Sequence, residues 1–214
     1  AKSTETPLLV EGNYDLPLLK QMPKPGKIDK VQYHQNADIT EYFLENGMNI
    51  LFKPTSFEND KIYMHAFSRY AKRDADITQL ASAKFSEDFF NACGIGDHDL
   101  KTLNKILVGK KIGFESAIED YTTKVNITCV PKDIEPAIQL FHLLLTNPGY
   151  DRSAFNRTIK EAEEDLRNLK NDPVIAFANA CNIVNYENHP YFTPVSFDDL
   201  KSIDYESCRD FHKK

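Results

Sequence analysis

The hydrophobic period of this 214-residue chain changes along its length, and the order of those changes limits the folds open to it. Two β-rich runs flank Asn46-Gly47, and a third alternates Ile62, Met64 and Ala66 against Tyr63, His65 and Phe67. The spacing of Ile77, Leu80, Ala81, Ala83, Lys84 and Phe85 is helical, and a shorter helix is expected over Asp99–Val108. Gly94 and Gly109 follow these helices as candidate C-terminal glycines. The period then returns to two, with Ile112, Phe114 and Ile118 on one strand and Val125, Ile127 and Cys129 on the next. Everything beyond is helical. Two hairpins bracketing two helices, followed by a helical remainder, define an α+β protein with a mostly antiparallel sheet backed by helices.

Local chemistry marks the element ends. Asn-Gly suits a two-residue type I′ turn, whose two positions both take positive φ. Asp133, Asp151 and Asp172 each precede a helical run, Ser196 with Asp199 forms a capping box, and Asp204 is placed to cap the last helix. Neither face of the 61–70 strand is strongly polar, so both are expected to be covered. Residues 1–38 read differently: four prolines and two glycines are scattered among short apolar pairs in "TPLLVEGNYDLPLLKQMPKPGKID". That composition suits an extended lead-in or linker ahead of a domain spanning 39–214. The final helix ends where an α+β fold would return to its sheet, so the domain is expected to be incomplete, lacking its last strand.

Composition narrows the functions. With 41% hydrophobic and 27% charged residues and a net charge of -6, the chain has no basic footprint for nucleic acid. It lacks the roughly 20-residue apolar run of a spanning helix and the apolar block of a signal peptide. Cys93, Cys129, Cys181 and Cys208 are too dispersed for a disulfide framework or a C-x-x-C site, and are expected to be buried thiols.

The chemical motifs are mostly absent. There is no G-x-S-x-G, no phosphate loop, no dinucleotide fingerprint, no H-E-x-x-H and no H-x-x-E-H. A helix-borne zinc pair needs two imidazoles one turn apart, whereas the six histidines stand singly. Asp97-His98-Asp99 is the one place where histidine adjoins carboxylates; it is either a divalent-cation site or the cap of the next helix. Glu161–Leu166, "EAEEDL", reads as a solvated helix face. His142 lies within the apolar "LFHLLL", so it is expected to be partly buried, and His189 in "ENHPYF" serves a turn before Pro190. The sequons at Asn126 and Asn156 fall inside regular elements.

Three stretches, in order, carry a resemblance. "LENGMNILFKPTSFENDKIYMHAFSRYA", "ITCVPKDIEPAIQLFHLLLTNPGYDRSAFNRTIKEAEEDLRNLKNDP" and "NHPYFTPVSFDDLKSIDYESCRDFH" resemble segments of the pitrilysin/insulinase family of zinc metallopeptidases, particularly the C-terminal half of large bacterial members. The resemblance runs from about Thr40 to His212. It implies repeated α+β half-domains that together enclose a peptide chamber. In the active half, two histidines of an H-x-x-E-H helix and a downstream glutamate hold zinc, and the motif glutamate acts as base.

Here the matching helix has no histidine or glutamate near Gln79–Ala83, and Ser68-Arg69-Tyr70 replaces the family's glycine-rich loop. Glu164 falls near the downstream ligand position. The resemblance therefore implies a non-catalytic half-domain with no catalytic or metal residues of its own and with substrate-contacting residues unassigned. Zinc would reside in the active half of the parent. Its partners would be that active half, a peptide substrate and, in this chain, a second copy docking on an exposed apolar surface or sheet edge. The parent would work in the periplasm, without nucleic-acid or membrane partners. Two alternatives stay open: a structural scaffold of the same fold, and an unconventional metal site at Asp97, His98 and Asp99.

Overall fold

The structure, a computed structural model, describes residues 17–169 and 171–213. Its strands form two separate antiparallel sheets. In the first, β1 (Ile28–His34), β2 (Ile39–Leu44) and β3 (Asn49–Phe52) lie in that order; in the second, β4 (Ile62–Ser68), β6 (Thr123–Cys129) and β5 (Ile112–Ile118) do. The two expected hairpins are therefore present but do not share a sheet. β1 lies within the segment expected to be an extended lead-in, where it pairs with β2 from Ile28↔Leu44 to His34↔Ile39. Residues 1–16 of that segment lie outside the described residues.

The β2–β3 turn also differs from the expected type. Among its residues only Gly47 has positive φ (+86°); its N–H donates to the Leu44 carbonyl (2.9 Å), while the Leu44 N–H donates to Met48 (2.9 Å). This is a three-residue loop with glycine at the left-handed bulge position, and Asn46 contributes through its side chain, accepting from the Met48 N–H at 3.0 Å.

The helices are α1 (Leu80–Ala92), α2 (Leu100–Leu107), α3 (Ile134–Thr146), α4 (Arg152–Leu169), α5 (Pro173–Asn185), α6 (Phe197–Ser202) and α7 (Tyr205–Lys213). Most of the expected caps form. Asp99 accepts from the Thr102 N–H (2.7 Å), Asp151 from Ser153 (2.7 Å), Asp172 from Val174 (2.8 Å) and Asp204 from Ser207 (2.8 Å), and Ser196 with Asp199 closes a reciprocal box. Asp133 does not cap α3. Its buried carboxylate turns away to accept from the Lys111 N–H (2.8 Å), fastening the start of β5 to the start of α3.

Two apolar clusters form the core. One is built by α1, α4, α6 and α7, with Phe89 set edge to face against Phe155 (5.3 Å, 86°) and Tyr205 (5.6 Å, 63°), as aromatic quadrupoles prefer. The other joins α2, α3 and the inner face of β4-β6-β5, and takes in Leu18 from the lead-in. Only one face of β4 is covered: Ile62, Met64 and Ala66 pack on this cluster, while Tyr63, His65 and Phe67 are exposed.

The loops after α1 and α3 interlock by backbone. The Gly96 N–H donates to the Asn147 carbonyl (2.8 Å), and a methyl group at Gly149 or Gly94 would overlap the carbonyl of Gly94 or of His98, respectively.

Candidate functional site

Helix α1 is where the family resemblance would place zinc ligands, and apolar spacing explains its position. Leu80, Ala83, Phe85, Phe89 and Phe90 are buried, pressing the helix against α4, α6 and α7. The turn that would carry a metal pair instead carries a small-residue contact. Ser82 is buried; its hydroxyl accepts from the Asp204 N–H (3.3 Å), and its carbonyl accepts from the Ser86 hydroxyl (2.6 Å) and the Cys208 thiol (3.4 Å). The start of α7 thus lies directly on α1. Burial pushes the Cys208 thiol up to about 11, so it is a packed, protonated group and not a thiolate ligand.

Glu164 projects from the exposed side of α4, and neighbouring Glu163 pairs with Arg167 one turn on (3.5 Å), as a solvated face would. Neither it nor α1 supplies the imidazoles that a zinc site needs. Among the described residues, no group of three histidine, cysteine or carboxylate side chains is placed to hold a metal ion. The residues present do not fit the family's zinc.

Asp97-His98-Asp99 is not convergent either. Asp97 pairs with Lys20 (2.7 Å), and that hydrogen bond holds its carboxyl below the usual range; Asp99 caps α2, with the Thr102 side chain lowering its pKa. His98 Nε2 lies 3.2 Å from the Pro17 carbonyl. The tripeptide therefore docks the lead-in, whose Leu18 is 5% exposed, and caps a helix.

The remaining singled-out residues have structural work too. His142 is half-buried, and His189 Nδ1 accepts from the Tyr191 N–H (3.2 Å) in a turn entered through positive φ at Glu187 and Asn188. Three cysteines are buried; Cys181 is not, because α5 buries none of its residues.

Two contacts had no sequence signal. Lys84, one residue beyond the would-be metal turn, donates to the carbonyls of Pro190 (2.9 Å) and Thr193 (2.8 Å), and burial lowers its pKa. Tyr191 donates from its hydroxyl to the Asp120 carbonyl (3.1 Å) and is pushed up to about 12, chiefly by burial. Together they strap the 188–195 loop across α1 and the tip of the β5–β6 hairpin. Both depend on carbonyls far away in sequence, which no local pattern announces.

The outer face of β4-β6-β5 is the open surface of this region. Register aligns Tyr63, His65 and Phe67 with Thr128, Asn126 and Lys124, then with Gly113, Glu115 and Ala117. His65 Nδ1 lies 2.9 Å from Asn126 Oδ1, and Phe67 is 73% exposed.

An α+β unit in which helices cover one face of an antiparallel sheet is also the fold of a solved peptidase M16 inactive domain. Along 93% of its length the chain superposes on the periplasmic protease PqqL from Escherichia coli, with a TM-score of 0.79 at 14% identity. It also superposes on a peptidase M16 inactive domain from Pseudomonas fluorescens over 81% of its length, with a TM-score of 0.68 at 15% identity. In sequence it is 26% identical over 204 residues to a zinc protease PQQL-like protein of Arabidopsis thaliana, a match covering 94% of this chain. No family model matches. The chain spans about a fifth of two of these proteins, 19% of the Arabidopsis protein and 22% of the E. coli chain.

Proposed function

We propose that residues 39–214 act as a non-catalytic half-domain of a zinc metallopeptidase, preceded by a lead-in over 1–38. This half-domain completes a peptide chamber and docks to an active half that holds the zinc. The observation that carries the proposal is the fate of α1: Ser82, on the turn that would bear the ligands, is occupied by Asp204 and Cys208 of the α7 region. With Ser82 committed to that contact and no histidine or glutamate from Gln79 to Ala83, the turn offers neither a ligand set for zinc nor a base for a metal-bound water.

The outer face of β4-β6-β5 is the surface we assign to the chamber wall. Its exposed Tyr63, His65 and Phe67 offer aromatic and hydrogen-bonding contact to an extended peptide. By analogy with the E. coli neighbour, the parent works in the periplasm; among the described residues no helix is long and apolar enough to cross a membrane.

The test is elemental analysis of the purified chain for zinc, with cleavage assays on an unfolded polypeptide before and after zinc is added. We expect substoichiometric zinc and no chelator-sensitive cleavage. One tightly bound zinc per chain with chelator-sensitive hydrolysis would refute the reading.

A further inference from the structure

The outer face of β4-β6-β5 carries one charge that nothing on the face balances. The ladder turns three side chains outward on each of its three strands, and of these only Lys124 and Glu115 are lysine, arginine, aspartate or glutamate. Lys124 is already paired, with the Glu119 carboxylate 2.6 Å away. Glu115 is exposed and, among the described residues, has no hydrogen-bond or ion-pair partner. Lys111 stands four residues before it, roughly 13 Å along an extended chain and beyond ion-pair reach.

The approach to Glu115 is open. Its outward neighbours along the strand are Gly113, where an added methyl would meet nothing within 4 Å, and Ala117. Across β6 lies Asn126, whose Oδ1 is 2.9 Å from His65 Nδ1, an arrangement that leaves the Asn126 amide N–H groups for a peptide carbonyl. On β4, Phe67 is 73% exposed and supplies apolar area.

Spacing decides what fits. Phe67 and Glu115 are offset by two strand spacings across the sheet and two residues along it, roughly 12 Å in all. In an extended peptide, side chains two residues apart point the same way and stand roughly 7 Å from each other. A peptide crossing the strands with an apolar side chain on Phe67 thus leaves about 5 Å to Glu115, which the long stem of a lysine or arginine covers. Arginine is the better match, because its fork meets a carboxylate through two parallel hydrogen bonds. An acidic residue at that position would meet like charge, on a chain that already carries a net -6.

We propose that Glu115 makes this face selective for extended peptides carrying arginine or lysine two residues from an aromatic or large apolar side chain, with Phe67 seating the apolar group. The proposal rests on the reading of this face as the wall of a peptide chamber.

Titration of the 214-residue chain at low ionic strength, followed through the backbone amide resonances of β4, β6 and β5, provides the test. The probes are short unstructured peptides identical except for a central Phe-Ser-Arg, Phe-Ser-Gln, Phe-Ser-Glu or Ala-Ser-Arg, each taken to about 5 mM to capture weak binding. The expected result is saturable shifts on the outer face, with Phe-Ser-Arg bound roughly 5-fold more tightly than Phe-Ser-Gln, as an exposed ion pair allows. Glu115→Gln should erase that difference and, because the side chain is exposed, leave circular dichroism unchanged. Phe67→Ala should weaken Phe-Ser-Arg to the level of Ala-Ser-Arg. Binding at this face that is equal for the arginine and glutamine peptides, or a preference that survives Glu115→Gln, would overturn the proposal and leave the chamber-wall reading standing. No shift on this face with any of the four peptides would overturn both.

Discussion

Helices α1 and α5 have the same length, 13 residues, and α5 is the more apolar of the two, yet α1 buries seven residues and α5 buries none. Hydrophobic content alone therefore does not set a helix's environment. What separates them is the arrangement of the apolar groups. In α1 the phenylalanines at 85, 89 and 90 meet aromatic partners from α4 and α7, with Phe85 and Phe155 edge to face at 5.9 Å. α5 carries its apolar residues on several sides, and Val174, Phe177 and Val184 face solvent. A buried helix of this kind draws its stability from tertiary packing.

The comparison can be broken most severely at the α1 core. Phe89→Ala removes the ring at the centre of the aromatic cluster and should cost about 3–5 kcal/mol of unfolding free energy, measured by urea denaturation. If the loss were below about 1 kcal/mol, α1 would be no better anchored than α5.

A smaller effect is expected from pH. His212 on α7 packs against Phe90 of α1, with ring centroids 4.2 Å apart, and burial pushes it down to about 4. Above about pH 6.5, its ordinary value, the ring is neutral in folded and unfolded chains alike and contributes no pH dependence. Between that value and about pH 4 the unfolded chain takes up a proton that the folded chain refuses, so stability should fall as the solution is acidified, by up to about 3 kcal/mol. Replacing His212→Leu should flatten this part of the profile in denaturation curves taken at successive pH values.

The smallest change is expected on α5 itself. Phe177→Ala should alter the unfolding free energy by less than about 0.5 kcal/mol. A cost of about 2 kcal/mol or more would show that α5 is covered within a single chain, erasing the contrast.

What the sequence disclosed was local. Caps at Asp99, Asp151, Asp172, Ser196 and Asp204 were readable because a side chain bonds to a backbone N–H two or three residues away. Both hairpins were readable from alternation around short turns. Pairings made at a distance were not. Nothing near Asp133 announces that its carboxylate serves Lys111, and nothing in the proline-rich lead-in distinguishes Ile28–His34 as a strand until β2 lies beside it. The division into two sheets was hidden for the same reason, since strand partnership is decided by the whole fold.

The candidate site was legible as a departure from a known pattern, in the missing histidines near Gln79–Ala83. Its filling by Ser82 and Cys208, 126 residues apart, was not. Cys181 shows the reverse error: cysteine's usual burial suggested a core position, but the helix that carries it has no cover.

The interlocked glycines deserve to be seen as a mechanical joint. Gly94 ends the segment leaving the aromatic cluster, and Gly149 enters the next one after α3, so their contact couples the two cores through main chain alone. Side chains between two layers can change rotamer and let those layers slide; backbone touching backbone has no such slack. Bending at this crossing would drive the Gly94 carbonyl into the Gly149 main chain, so the two clusters should rock as one stiff block, with flexing displaced to segments away from it.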